Sequence, residues 1–182
     1  MTKKYDIILA DPPWDYKGQT QHAGNKSSNT GGAVVHYPTM TVDEMIATFD
    51  IQSIAADNCL LFMWSTWPHL DQAIRLGTAW GFRYVHTPFI WNKQRTNPGF
   101  YTLTQTEPVL CFKIGTIPKP RGSRKERQLI DWKRQQHSVK PTEVHERIDR
   151  MFPTQNKIEL FARTQYQGWD VWGNQVVSNI IL

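Results

Sequence analysis

Asp11-Pro12-Pro13-Trp14 places an acid, two rigid backbone units and a large aromatic directly behind the apolar run Tyr5 to Leu9. Two consecutive prolines fix φ twice and remove two backbone donors. Each also forces the residue before it into an extended conformation. Asp11 is therefore expected at the C-terminal tip of a buried strand, with Trp14 projected at a set angle. In open α/β sheets such tips face the crevice that holds ligands. The chemistry these residues suit is activation of an exocyclic amine on a base. That nitrogen is a poor nucleophile because its lone pair is delocalised into the ring. The Asp11 carboxylate and the Pro12 carbonyl, accepting its two N–H bonds, would pull it toward a tetrahedral, nucleophilic geometry. Trp14 would give a flat surface to a base swung out of its stack. The plainer alternative is a Pro-rich turn with Trp14 as a lid on the core.

The charge distribution also points to nucleic acid. The chain carries a net +5. From Lys113 to Arg134, eight cations stand against Glu126 and Asp131, so these 22 residues hold +6 and the rest of the chain −1. Such a concentration is the footprint of phosphate-backbone binding, with Lys119, Arg121, Arg124, Lys125 and Arg127 as the candidate contacts; a solvated basic loop is the alternative. Aromatics at 12%, including eight Trp, favour packing, base stacking or both. The two cysteines, Cys59 and Cys111, lie in apolar runs and read as reduced core residues of a cytoplasmic protein. The six histidines are scattered and no metal spacing is present. No apolar stretch approaches the ~20 residues of a membrane span.

The positioning elements follow in order. Tyr5–Ala10 reads as a strand, and 17–36 as a long Gly/Ser/Asn-rich loop, a candidate flap. Thr41 and Glu44 make a capping box for a short helix to Phe49. Cys59 to Trp64 is a strand buried on both faces. Ser65 and Thr66 are expected to cap a helix from Pro68 to Trp80, which Gly81 ends. Arg83 to Trp91 is a strand, 92–106 a second loop, and Glu107 to Ile114 a strand; the Pro/Gly-broken stretch 115–134 is expected to be irregular. Pro141 opens a helix to Met151, and Lys157 to Ala162 is a further strand. The apolar residues after Asn174 are expected to pack down. Alternating strands and helices give an α/β class with a mainly parallel central sheet flanked by helices, as a single domain over 1–182.

Five stretches, Asp11–Trp14, His36–Met40, His137–Pro141, Ile158–Arg163 and Gly168–Gln175, share order and spacing with one family. The chain resembles the Asp-Pro-Pro-Trp adenine-N6 methyltransferases, the family of the mRNA methyltransferase catalytic subunit, and most of all its short bacterial and phage-type members. The resemblance implies a Rossmann-like fold in permuted motif order and S-adenosyl-L-methionine as cofactor. It assigns Asp11, Pro12, Pro13 and Trp14 to catalysis. It assigns Asp11, Lys140, Glu159, Phe161, Arg163, Asn174 and Gln175 to the cofactor, Lys140 holding its carboxylate and Glu159 lying near the ribose. Trp14, Tyr16, Tyr37 and Trp64 are the candidates beside the substrate base. Thr164-Gln165-Tyr166 replaces the His-Asn of eukaryotic members, and the chain starts within five residues of its first strand, so adenine contacts are expected from elsewhere. The implied activity is adenine-N6 methylation of DNA; the same reaction on RNA and a non-catalytic nucleic-acid-binding subunit are the alternatives. With three irregular stretches only, 17–36, 92–106 and 115–134, sequence preference is expected to be relaxed, in a monomer or small homo-oligomer.

Overall fold

β1, Tyr5–Ala10, has every residue but Asp6 buried, as a central parallel strand covered on both faces requires. In the computed structural model, which describes residues 3–15, 39–98, 101–135 and 139–182, this strand lies between two parallel neighbours. These are β2, Ala55–Trp64, and β6, Lys157–Leu160; Ala10 pairs with Met63 on one side and Leu160 on the other. The remaining strands are β3 (Arg83–Pro98), β4 (Leu103–Ile114), β5 (Leu129–Asp131) and β7 (Asp170–Trp172). The sheet order is β5-β3-β4-β2-β1-β6-β7. β4 pairs antiparallel with β2 and β3 while the other four pairings are parallel, so among the described strands it alone runs against the rest.

Alternation along β1 divides the interior into two layers. Ile8 and Ala10 join Met45, Leu61, Leu76 and Phe112 under α1 (Val42–Thr48) and α2 (Leu70–Ala79). Ile7 and Leu9 join Phe62, Phe89, Val144 and Ile148 under α3 (Glu143–Met151). A fully buried aliphatic or Phe side chain is worth about 1.5–3 kcal/mol, so both faces of the sheet are anchored independently of the site at its end. The capping box is present: Thr41 Oγ1 accepts from the Glu44 amide at 3.2 Å, and Glu44 Oε2 accepts from the Thr41 amide at 2.7 Å. α2 stops at Gly81, whose φ of +85° is the left-handed cap an L side chain resists.

The structure differs from the sequence reading in three places. Ser65 and Thr66 make no side-chain cap on α2; a 3-10 turn, Trp67–His69, comes first, and the Thr66 hydroxyl pairs with His69 Nδ1 at 2.8 Å. Phe161 takes a left-handed φ of +61°, so β6 ends at Leu160 and not at Ala162. Most consequentially, 92–98 and 103–106 are strand and not loop. β3 continues to Pro98 and pairs back on β4 through Asn92 with Thr106, Asn97 with Thr104 and Pro98 with Leu103. This ribbon extends beyond the two core layers, so its polar residues carry no apolar period to betray it. The stretch 115–134 is irregular apart from β5. In the C-terminal segment, Ile180 and Leu182 pack on the core while Val177 and Ile181 are exposed.

Candidate active site

The Asp-Pro-Pro-Trp turn is held at both sides. The Asp11 amide donates weakly to the Leu160 carbonyl at 3.4 Å, continuing the β1–β6 ladder. The Trp14 amide donates to the Pro12 carbonyl at 2.9 Å, closing a tight turn about Pro13, and the Met40 amide donates to the Pro13 carbonyl at 2.9 Å. A carbonyl has two lone pairs, so Pro12 keeps one acceptor site. Trp14 swings inward: its indole stacks on His69 with centroids 5.9 Å apart, and its Nε1 donates to the Trp64 carbonyl at 3.2 Å. Trp14 and Trp64 are only 4% and 2% exposed, so both indoles form the buried floor of the site and not an open stacking face.

A line of alternating charge runs across the strand ends. Lys140, just before α3, places its Nζ 3.2 Å from Asp11 Oδ1 and 3.3 Å from Glu107 Oε2. Lys93 lies 3.2 Å from Glu107 Oε1. The Lys140 ammonium also sits 5.1 Å above the Trp64 ring, a cation–π placement. Burial pushes Asp11 above the usual aspartate range, although Lys140 and Arg163 pull against it; the Glu107 charge adds to the rise. For Glu107 burial also pushes upward, but Lys140 and Lys93 together outweigh it and hold the group below its usual range. One carboxylate shares one ammonium and the other has two, which separates their protonation.

Glu107 and Lys93 were not singled out in the sequence. Glu107 sits near the start of β4, which reaches the catalytic end only because β4 runs antiparallel, and strand direction is not written in the residues. Glu107→Gln is expected to cost about 1–3 kcal/mol of stability at neutral pH, the penalty for unpairing buried partners. A carboxylate with a depressed pKa stabilises above its ordinary value of 4.5 and loses that contribution as the pH falls through its folded value. Urea titrations of both proteins should therefore converge in acid; a gap that persists there contradicts this electrostatic assignment.

Glu159 lies near the tip of β6 beside Leu9. Its Oε2 pairs with His145 Nε2 at 2.9 Å, and the His145 ring stacks on Tyr166 at 4.4 Å with the Trp169 edge at 5.0 Å. His145 also escaped the sequence reading, since a histidine on an apolar helix face reads as core. Phe161 meets Phe49 and Trp172 edge-on, at 5.3 and 5.5 Å. A Cβ on Gly173 would lie 2.2 Å from the Ala162 carbonyl oxygen, so glycine there lets the chain leave β7 flush against the end of β6. Asn174 and Gln175 follow, exposed. The sheet thus brings Asp11, Lys140, Glu159, Phe161 and Arg163 to one end. Tyr16, Tyr37, the stretch 17–36, His137 and Ser138 lie outside the described residues.

The basic stretch is split. β4 delivers the chain to the opposite end of the sheet, where Ile114 pairs with Cys59. There the Gly122 and Ser123 amides bond the Met151 and Arg150 carbonyls at the end of α3, and Arg121 lies 5.5 Å over the Phe152 ring. Lys119, Arg121, Arg124 and Lys125 are therefore remote from Asp11, and Arg127 lies partway back, just before β5. The chain returns through β5, and the Trp132 and Arg134 amides bond the Asn92 and Lys93 carbonyls, so only Lys133 and Arg134 reach the catalytic end.

An acid and an ammonium side by side complement the two charged groups of an amino acid. Glu159 beside them is a suitable acceptor for sugar hydroxyls, so this donor set fits a cofactor that joins an amino acid to a nucleoside. With the strand order, it defines a Rossmann-like methyltransferase. The MT-A70 family model matches residues 5–175, and the chain belongs to that family of methyltransferases. It is 49% identical to the type II methyltransferase M.MunI of a Mycoplasma species, over 98% of this chain and 81% of that protein. It is 28% identical to an Arabidopsis thaliana N(6)-adenosine-methyltransferase MT-A70-like protein, over 94% of this chain and 24% of that one. To the human N(6)-adenosine-methyltransferase catalytic subunit METTL3 it is 27% identical, over 95% of this chain and 28% of that subunit. The chain thus spans about a quarter of these two longer relatives.

Proposed function

We propose that the protein transfers a methyl group from S-adenosyl-L-methionine to the N6 amine of an unstacked adenine in DNA. The observation that carries this reading is Asp11, ionisable and half-enclosed at the tip of β1, beside a Pro12 carbonyl with a spare lone pair and 3.2 Å from Lys140. Bound S-adenosyl-L-methionine supplies a methyl group activated on a sulfonium. The protein's part is then positioning and electrostatic placement. Asp11 and the Pro12 carbonyl accept from the amine and orient its lone pair; as the new N–C bond forms the C–S bond breaks to leave a neutral thioether, and the methylated nitrogen then loses one proton to solvent. Lys140 takes the carboxylate of the cofactor's amino-acid end and Glu159 its ribose hydroxyls, with Phe161, Arg163, Asn174 and Gln175 around the nucleoside.

DNA is preferred to RNA because identity to the type II methyltransferase is far higher than to the adenosine methyltransferases. The expectation of relaxed sequence preference counted 92–106 as a loop that handles the base, whereas Asn92 to Pro98 pair with Leu103 to Thr106. Incubation with labelled S-adenosyl-L-methionine and matched DNA or RNA oligonucleotides, followed by nucleoside mass spectrometry, is the test. N6-methyldeoxyadenosine is the expected product. Label confined to RNA, or absent from both, overturns the proposal.

A further inference from the structure

Between the pairs Asn92–Thr106 and Asn97–Thr104, β3 has four residues where β4 has the single Gln105, so Lys93 to Thr96 form a bulge. Gln94 sits in it with φ at +51°, a conformation that costs energy outside glycine. The bulge is braced: Asn92 Oδ1 accepts from the Gln94 amide at 3.1 Å and from Gln105 Nε2 at 2.7 Å, while Asn92 Nδ2 donates to Asp131 at 2.6 Å. Gln94, Arg95 and Thr96 are consequently exposed on a fixed backbone. Beyond them, Tyr101 is 100% and Leu103 66% exposed. The ribbon is rooted in the catalytic centre, since Lys93 and Glu107, one on each strand, belong to the charge line that ends at Asp11.

Resting on the proposed DNA reaction, we infer that this ribbon enters the major groove beside the target adenine and reads neighbouring bases through Gln94 and Arg95. A two-stranded ribbon fits that groove; Arg donates bidentately to guanine and an amide pairs with adenine. Arg95 is the exposed cation of the ribbon, since Lys93 is buried against Glu107, and Lys133 and Arg134 run beside the ribbon root, where the acid Asp131 is held by Asn92. The duplex therefore meets a positive surface at the catalytic end, and strain at Gln94 is spent where side chains must be aimed.

The test is methylation of a random-sequence DNA library, with flanking bases read at each methylated adenine. Gln94→Gly keeps the bulge, because glycine accepts the positive φ, and removes the reading group; it is combined with Arg95→Ala. Wild type should favour particular bases at one or two flanking positions, and the double variant should lose about tenfold or more of that discrimination. Arg121→Ala with Arg124→Ala, at the far end, should leave the flanking profile unchanged. A profile identical in wild type and the ribbon variant, or a wild type with no flanking preference, overturns the ribbon alone. A wild type that makes no N6-methyladenine in DNA overturns the substrate proposal with it.

Discussion

Asp11→Ala protein is expected to fold as wild type does and to lose methyl transfer by about 10²–10³-fold or more, the worth of one preorganised electrostatic group at a reacting centre. Stability should change little, because the side chain lies beyond the last core position of β1 and its ionised form is held against burial. Lys140 keeps Glu107 as a partner at 3.3 Å, so the change strands no cation. Asp11→Asn is the sharper variant: it preserves shape but replaces one acceptor with a donor that faces an amine. The pH profile gives an independent reading. A protonated Asp11 donates and cannot accept, so activity should fall as the pH drops through its pKa. Because burial raises that pKa, the acid limb should lie above the usual aspartate range and vanish in Asp11→Asn. Wild-type-like turnover by a folded Asp11→Ala protein would refute the assignment.

Lys140→Met should have the largest combined effect. It removes the cation between two carboxylates, leaving Asp11 and Glu107 to face each other with Lys93 beside Glu107 and Arg163 near Asp11. Unpairing a buried charge costs about 3–5 kcal/mol. These three side chains retain 17–23% exposure, which places the expectation at the low end, about 3 kcal/mol at neutral pH. The stranded groups are acids, so the destabilisation is greatest above their pKa values and shrinks as protonation discharges them. Affinity for S-adenosyl-L-methionine should fall by about 1.5–3 kcal/mol, one hydrogen bond to a charged group. Calorimetry with an unchanged dissociation constant would remove Lys140 from the cofactor site, whatever the stability change.

The end of the sheet that carries Asp11 was legible because its signals are local. Two prolines just after the apolar run Ile7–Ala10 mark a strand tip, and Thr41 with Glu44 marks a helix start. Lys140 and Glu159 were found through motif order and now lie at the same end as Asp11. What escaped was whatever depends on pairing. Glu107 joins the site only through the direction of β4, and beyond Lys93 the paired arms 94–98 and 103–106 have no buried residue, so no apolar period announced them. The basic stretch misled for a related reason. Its charges are neighbours in sequence, but a return path through β5 separates Arg121 from Arg134 by the length of the sheet. Trp14 failed as an open face because the turn about Pro13 aims it at His69.

The reversed strand has a consequence for how such an enzyme changes over time. Where all neighbours run parallel, successive strands need a crossover, and a loop that lengthens above the site has no partner strand to hold its direction. Here β3 and β4 leave the catalytic end together, hydrogen-bonded to each other. Adding one residue to each arm lengthens the projection by about 3.4 Å, and adding two restores the same outward faces. Lys93 and Glu107 stay at the root throughout. Reach toward the substrate can therefore drift in small steps, like a telescoping arm, while the distances at Asp11 remain as they are.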